Sequence, residues 1–206
     1  MKLLTTISVI ALTASLGTLG AFAAPPDQVD HVSPAPGTSH DSMSAVKDAA
    51  GHAIGTVSAE MTSTTKGFAT AAAISDMYEV QAAKIAEHRS IDKGVKIFAA
   101  KMIKGHTQTS DELKTLLTTA NSEAVLPTRL DDRHQSMIDE LRGAKDADFD
   151  QRYLTQQIDA HKEALILMRG YAKDGDTASI KEFAAKTVPT IESHLHMAQH
   201  LASLTS

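Results

Sequence analysis

Four stretches of about 25 to 28 residues carry their small and apolar side chains at spacings of three and four, a repeat that admits little besides long helices packed side by side. In the first, Phe68, Ala72, Ser75, Glu79, Ala82 and Ala86 share a face, with Thr64 or Thr65 placed to cap it and a stop near Ser90. The second starts from Asp92 and aligns Val95, Phe98, Met102, His106, Thr109, Leu113, Leu116 and Ala120. The third begins after Asp146 or Asp148 and aligns Phe149, Tyr153, Gln157, Ala160, Ala164, Leu167 and Tyr171, with Leu154, Ile158, His161, Leu165 and Met168 widening the face. The fourth aligns Ile180, Phe183, Ala184, Thr187, Ile191, His194, Ala198 and Leu201, and its Pro189 removes one backbone donor and should bend it. Each would run roughly 40 Å at 1.5 Å per residue, and matched lengths favour lateral packing.

The joins then select the topology. Ser90-Ile91-Asp92 and Asp174-Gly175-Asp176 leave room only for antiparallel hairpins, the second supplying a stop followed by a cap. Between the second and third long helices lies a passage of roughly 27 residues, long enough to cross the bundle. Pro127 punctuates it, and a short amphipathic helix is expected at about 130–141, with Met137, Ile138 and Leu141 apolar and Gly143 ending it. Two hairpins and one long crossover make an all-α, ferritin-like antiparallel four-helix bundle over 64–204.

Ahead of the bundle the sequence changes character. Met1 and Lys2, an apolar run over 3–19 too short for a bilayer, and Ala21-Phe22-Ala23 read as a signal peptide, 1–23, which places the chain in the periplasm. The next segment, 24–41, holds all but two of the 6 prolines and is expected to be a flexible tether. In 42–62, Met43, Val46, Ala50, Ile54, Val57 and Met61 outline an amphipathic helix, made marginal by Gly51 and Gly55. It is expected to lie on the main domain, with a peripheral membrane surface or a protein partner as the alternative. After signal cleavage no integral membrane span remains. A net charge of −5 argues against nucleic acid as a partner. With no cysteine, any metal must be held by His, Met or carboxylate.

Several segments resemble the domain-of-unknown-function 4142 family of secreted, ferritin-like helical proteins of bacteria, often labelled predicted outer-membrane proteins. They are Phe68 with Glu79, the run Val95-Lys96-Ile97-Phe98-Ala99-Ala100-Lys101-Met102-Ile103-Lys104-Gly105-His106, Tyr153 with His161, and Val188-Pro189-Thr190-Ile191-Glu192-Ser193-His194-Leu195 followed by Ala198. The resemblance implies a fold and a compartment, including association with the outer membrane, and no particular activity. One departure is Gly105, where the family often places an acidic residue before the histidine.

Glu79, His106, His161 and His194 form the leading candidate site, one from each long helix and each on the face assigned to the core. Carboxylate and imidazole converging inside a bundle can hold Fe, Mn, Cu or Zn. A di-iron oxidase would need Glu-x-x-His on two helices, and the chain contains none. Counting residues from the hairpins puts Glu79 and His106 about 6 Å apart in level and His161 and His194 about 9 Å apart. Asp76 lies nearer the level of His106 and could be its partner. The competing reading is that these buried polar residues satisfy one another and fix the register of an Ala-rich bundle. Weaker metal candidates are Asp76 and the group His196, Met197 and His200, whose members neighbour one another at helical spacing. With no G-x-S-x-G, P-loop or H-E-x-x-H segment and no catalytic residue assigned, the expectation is a non-enzymatic binding or structural protein of the cell envelope, with a metal-binding bundle as the alternative.

Overall fold

Short polar side chains fix the starts of the first three helices, whereas the fourth begins at Asp146, not after Asp146 or Asp148, behind a Lys145 that makes no side-chain cap. The computed structural model describes residues 61–205, and five helices are placed among them: α1 (Thr65–Arg89), α2 (Lys93–Thr119), α3 (Asp132–Gly143), α4 (Asp146–Asp174) and α5 (Ala178–Leu204). The expected signal peptide, the tether and nearly all of 42–62 lie outside the described residues. Thr64 caps α1 by accepting from the Gly67 N–H at 3.1 Å, and Asp92 caps α2 by accepting from Val95 at 2.9 Å. Asp131 does the same for α3 through the His134 N–H at 2.8 Å.

The start of α5 differs from expectation. Its cap position is Thr177, which makes no side-chain capping bond. Asp176, expected to cap, reaches across to α1 instead, accepting from the Thr65 N–H at 2.9 Å and the Tyr171 hydroxyl at 2.8 Å. The bundle end therefore gains a tie between segments 111 residues apart in sequence. Arg89 forms the tie at the other end. Its guanidinium donates to the carbonyls of Leu141, Arg142 and Ala144 and to the Asp146 carboxylate, and stacks 4.6 Å from the centre of the Phe149 ring.

The result is an all-α bundle. α1 packs on α2 and α4, α5 packs on α2 and α4, and α3 lies across α1 and α4. Arg89 at the end of α1 meets the start of α4, and Gly94 at the start of α2 lies against Leu201 near the end of α5, so neighbouring long helices run antiparallel. Pro189 does not interrupt α5; it sits on the exposed side of the helix. Near the end of α2 the buried stripe passes from Leu113 to Leu117, leaving Leu116 half-buried and Ala120 exposed.

Apolar burial is divided in two. One cluster includes Ala82, Val95, Phe98, Met102, Phe149, Tyr153 and Ala198; the other includes Phe68, Ala72, Leu113, Leu167, Tyr171, Phe183 and Ile191. Each long helix crosses from one cluster to the other at a buried polar residue: Asp76 and Glu79 on α1, His106 on α2, His161 on α4 and His194 on α5. A polar layer thus interrupts an otherwise apolar core.

The Asp176 tie has a pH signature. Burial pushes this carboxyl up, but hydrogen bonds from Thr65, Tyr171 and Thr177 outweigh it and hold the group below its ordinary 3.8. Its contribution is therefore complete above that value and lost as pH falls through the lower folded-state pKa. Asp176→Ala should destabilise by about 1 kcal/mol at neutral pH. In thermal melts the gap between variant and wild type should close at pH values where the carboxyl is protonated.

Candidate metal centre

The polar layer is built from the first helix pair. Asp76 on α1 accepts from His106 Nδ1 at 2.8 Å, from the Thr109 hydroxyl at 2.9 Å and from the Ser110 hydroxyl at 3.0 Å, all on α2. The His106 proton is thereby committed to Nδ1, and Nε2 is left buried without a partner. Asp76 is the partner that axial counting favours.

His161 is oriented differently. Its Nδ1–H donates to the Gln157 backbone carbonyl, one turn earlier on α4, at 2.8 Å, and its Nε2 again has no partner. His194 on α5 has an unpartnered, buried Nδ1. Gly105 makes room for this ring: a Cβ there would stand 3.1 Å from His194 Cε1. Gly105 thus lets α2 and the His194 ring approach closely.

These three rings form a nearly equilateral triangle. Centroids lie 5.5 Å apart for His106 and His161, 5.7 Å for His106 and His194, and 5.6 Å for His161 and His194. One ligand nitrogen from each lies within 4.8 Å of the others. The 9 Å offset counted for His161 and His194 is therefore corrected. Side chains on a helix tilt toward its N-terminus, so in an antiparallel pair the farther residue leans back toward the hairpin while the nearer one leans away.

Glu79 occupies another position. Its Oε1 is 3.5 Å from His161 Nδ1, the nitrogen engaged with Gln157 rather than the free one. Both residues are 1% exposed. Burial raises the Glu79 pKa to about 7 against the opposing influence of His106 and the Gln157 amide. Burial likewise lowers His161 to about 3, assisted by the charge of His106, and lowers His194 to about 4, assisted by His106 and Lys101. For His106 burial is also the largest influence and acts downward, but the Asp76 hydrogen bond and the charges of Asp76 and Glu79 prevail and raise it. Two of the three imidazoles are therefore neutral at physiological pH with lone pairs available. The weaker candidates do not join the triad: His196 and His200 are exposed, and the half-buried Met197 accepts from Lys101 Nζ through Sδ at 3.4 Å.

Of these buried polar residues, Asp76 and His106 partner one another, whereas each of the three imidazoles keeps one buried nitrogen without a protein partner. The sequence-based search missed the Gln157 carbonyl and the space provided by Gly105. Backbone acceptors leave no mark in a side-chain pattern, whereas a glycine on a core-facing stripe of α2 was an available signal.

Fold and layer define an all-helical bundle protein with a buried three-imidazole cluster. The sequence profile described as Domain of unknown function (DUF4142) matches residues 52–201, and the chain belongs to that family. No curated protein matches it. Among solved structures it is similar to "CopM in the Cu(II)-bound form", with a TM-score of 0.60 and 16% identity over 69% of this chain and 98% of that one. That likeness is one of fold. Among the described residues no helix is long and apolar enough to cross a membrane.

The burial of His161 and His194 in neutral form predicts acid sensitivity. Both would titrate near 6.5 when unfolded, so between pH 6.5 and 4.5 the unfolded chain takes up protons that the folded chain refuses. Glu79, raised to about 7, is protonated in the fold across that window and offsets one of the two. Stability of the metal-free protein should fall by on the order of 1 kcal/mol per pH unit on acidification. Urea melts across the window would measure this slope, and replacing either histidine by glutamine should flatten it.

Proposed function

We propose that this chain is an exported, ferritin-like four-helix bundle that binds a transition-metal ion, copper foremost, through His106, His161 and His194. The observation that carries the reading is a cluster of three buried histidines from three helices: one ligand nitrogen of each lies within 4.8 Å of the others, and each ring keeps a buried nitrogen without a hydrogen-bond partner. Each such nitrogen left unsatisfied costs about 1–3 kcal/mol, so a core built for register alone would not be expected to keep three of them together. Metal–nitrogen bonds of about 2.0–2.1 Å require the three nitrogens to draw together to roughly 3.4 Å, a movement within reach of side-chain rotation.

The donor set favours a borderline ion. Three neutral nitrogens without thiolate suit Cu, Zn or Ni, and among divalent first-row ions copper binds such sites most tightly. The Cu(II)-bound state of the similarly folded CopM structure supports the same choice. Asp76 and the Gln157 carbonyl would orient two ligands as outer-shell partners, with Glu79 a further outer group behind His161. When bound, copper would supply a Lewis-acidic, one-electron redox centre. His161 and His194 would bind without releasing a proton, whereas His106 would give one up. We infer binding rather than turnover, because the ligands lie inside the core, His106 and His194 being 5% exposed. The signal peptide and the 42–62 segment would provide export and a contact with the envelope, including the outer membrane.

The test uses full-length protein exported to a periplasm and purified without an affinity tag. Copper(II) at a thousandfold excess over its dissociation constant should stabilise it by about 4 kcal/mol, several degrees in Tm. His161→Leu should abolish that shift while leaving the metal-free Tm unchanged or higher, since it removes an unsatisfied buried nitrogen. A large loss of metal-free stability would instead favour register fixing. Asp76→Asn should weaken copper affinity about 10- to 100-fold while retaining binding, as read by competition with a chromophoric chelator.

A further inference from the structure

The triad lies inside the bundle, yet one of its members begins a row of ligating side chains that leads out. On α5, His194, Met197 and His200 are spaced by three residues, and each such step rotates about 60° around the helix axis. His194 faces the core, Met197 is half-buried at the seam with α2, and His200 is exposed. Neighbours at this spacing have Cβ atoms about 5–6 Å apart. At the outer end, His196 lies one turn before His200 on the same face. Pro189, Glu192, Ser193, His196, Met197 and His200 line one open groove. Glu192 there is engaged by Arg169.

Resting on the metal-binding reading above, we propose that His196 and His200 form a second, surface copper site that captures the ion and passes it through the Met197 thioether to His194. An imidazole pair at this helical spacing can chelate a borderline ion, and a thioether adds a weaker ligand from which it can leave again. The transfer is ligand exchange without change of oxidation state: the bonds to His196 and His200 are given up in turn as a bond to Met197 forms, and the Met197 bond is released as one to His194 forms. Lys101 controls the middle step. Its ammonium lies on the Met197 sulfur and opposes a second cation there, so passage requires this side chain to move aside.

The full-length, tag-free protein titrated with a copper(II) salt tests the proposal. His196→Gln combined with His200→Gln should lose one copper equivalent relative to wild type and slow filling of the buried site, followed by rapid mixing. Met197→Leu should keep both equivalents but slow filling, and Lys101→Gln should speed it. His106→Ala reports separately on the triad by removing the buried equivalent and leaving the surface one. An unchanged stoichiometry in the double variant overturns the surface site, and unchanged filling rates in the Met197 and Lys101 variants overturn the route. Loss of the surface equivalent alone, with His106→Ala without effect, overturns the transfer and the buried-site reading together.

Discussion

The hydrogen bond from His106 to Asp76 decides which nitrogen of that ring is left over, and much of the polar layer depends on that choice. With Nδ1–H held at 2.8 Å by a carboxylate that also accepts from Thr109 and Ser110, His106 can turn only Nε2 inward. Rotating the ring would leave Asp76 without one of its donors in a core that offers few substitutes. The same bond joins α1 to α2 at the level where the apolar core divides. Register and ligand geometry are consequently set by one contact, which joins the two competing accounts of these residues: Asp76 fixes register, and the imidazoles it leaves free are available for binding.

Electrostatics within the layer follow from unequal access to partners. His106 has a carboxylate and is raised, whereas His161 has only a backbone carbonyl and His194 has no partner at Nδ1; burial therefore dominates both and lowers them. At most one of the three neighbouring imidazoles is expected to carry a second proton, and with it a positive charge, since a further charge would have to reside close to the first in a medium that screens poorly. Glu79, pushed up to about 7, is the nearby carboxyl that can change charge as the layer does.

Much of this was legible in the sequence. Spacings of three and four located the long helices, and Thr64, Asp92 and the tight joins located their ends. The pairing of Asp76 with His106 followed from counting along two helices from a hairpin. The same count failed for His161 and His194 because it measures Cα levels, whereas imidazoles are displaced by the tilt of the Cα–Cβ bond. Asp176 could be read as a cap but not as the partner of a residue 111 positions away. Nor could spacing foretell which ring nitrogens would be free, because that depends on the Gln157 carbonyl and on the side chains facing Asp76.

The placement of α3 makes the bundle unequal on its two sides. Lying across α1 and α4 and fastened by Arg89, it thickens that side with Ile138 and Leu141, while His134 lies 5.4 Å from the Tyr78 ring. Among the described residues no helix lies across the α2–α5 side, and at the level of the layer α2 presents Gly105 rather than a side chain. The crossover helix that returns the chain to its starting end therefore also makes the α1–α4 wall of the bundle the thicker one among the described residues.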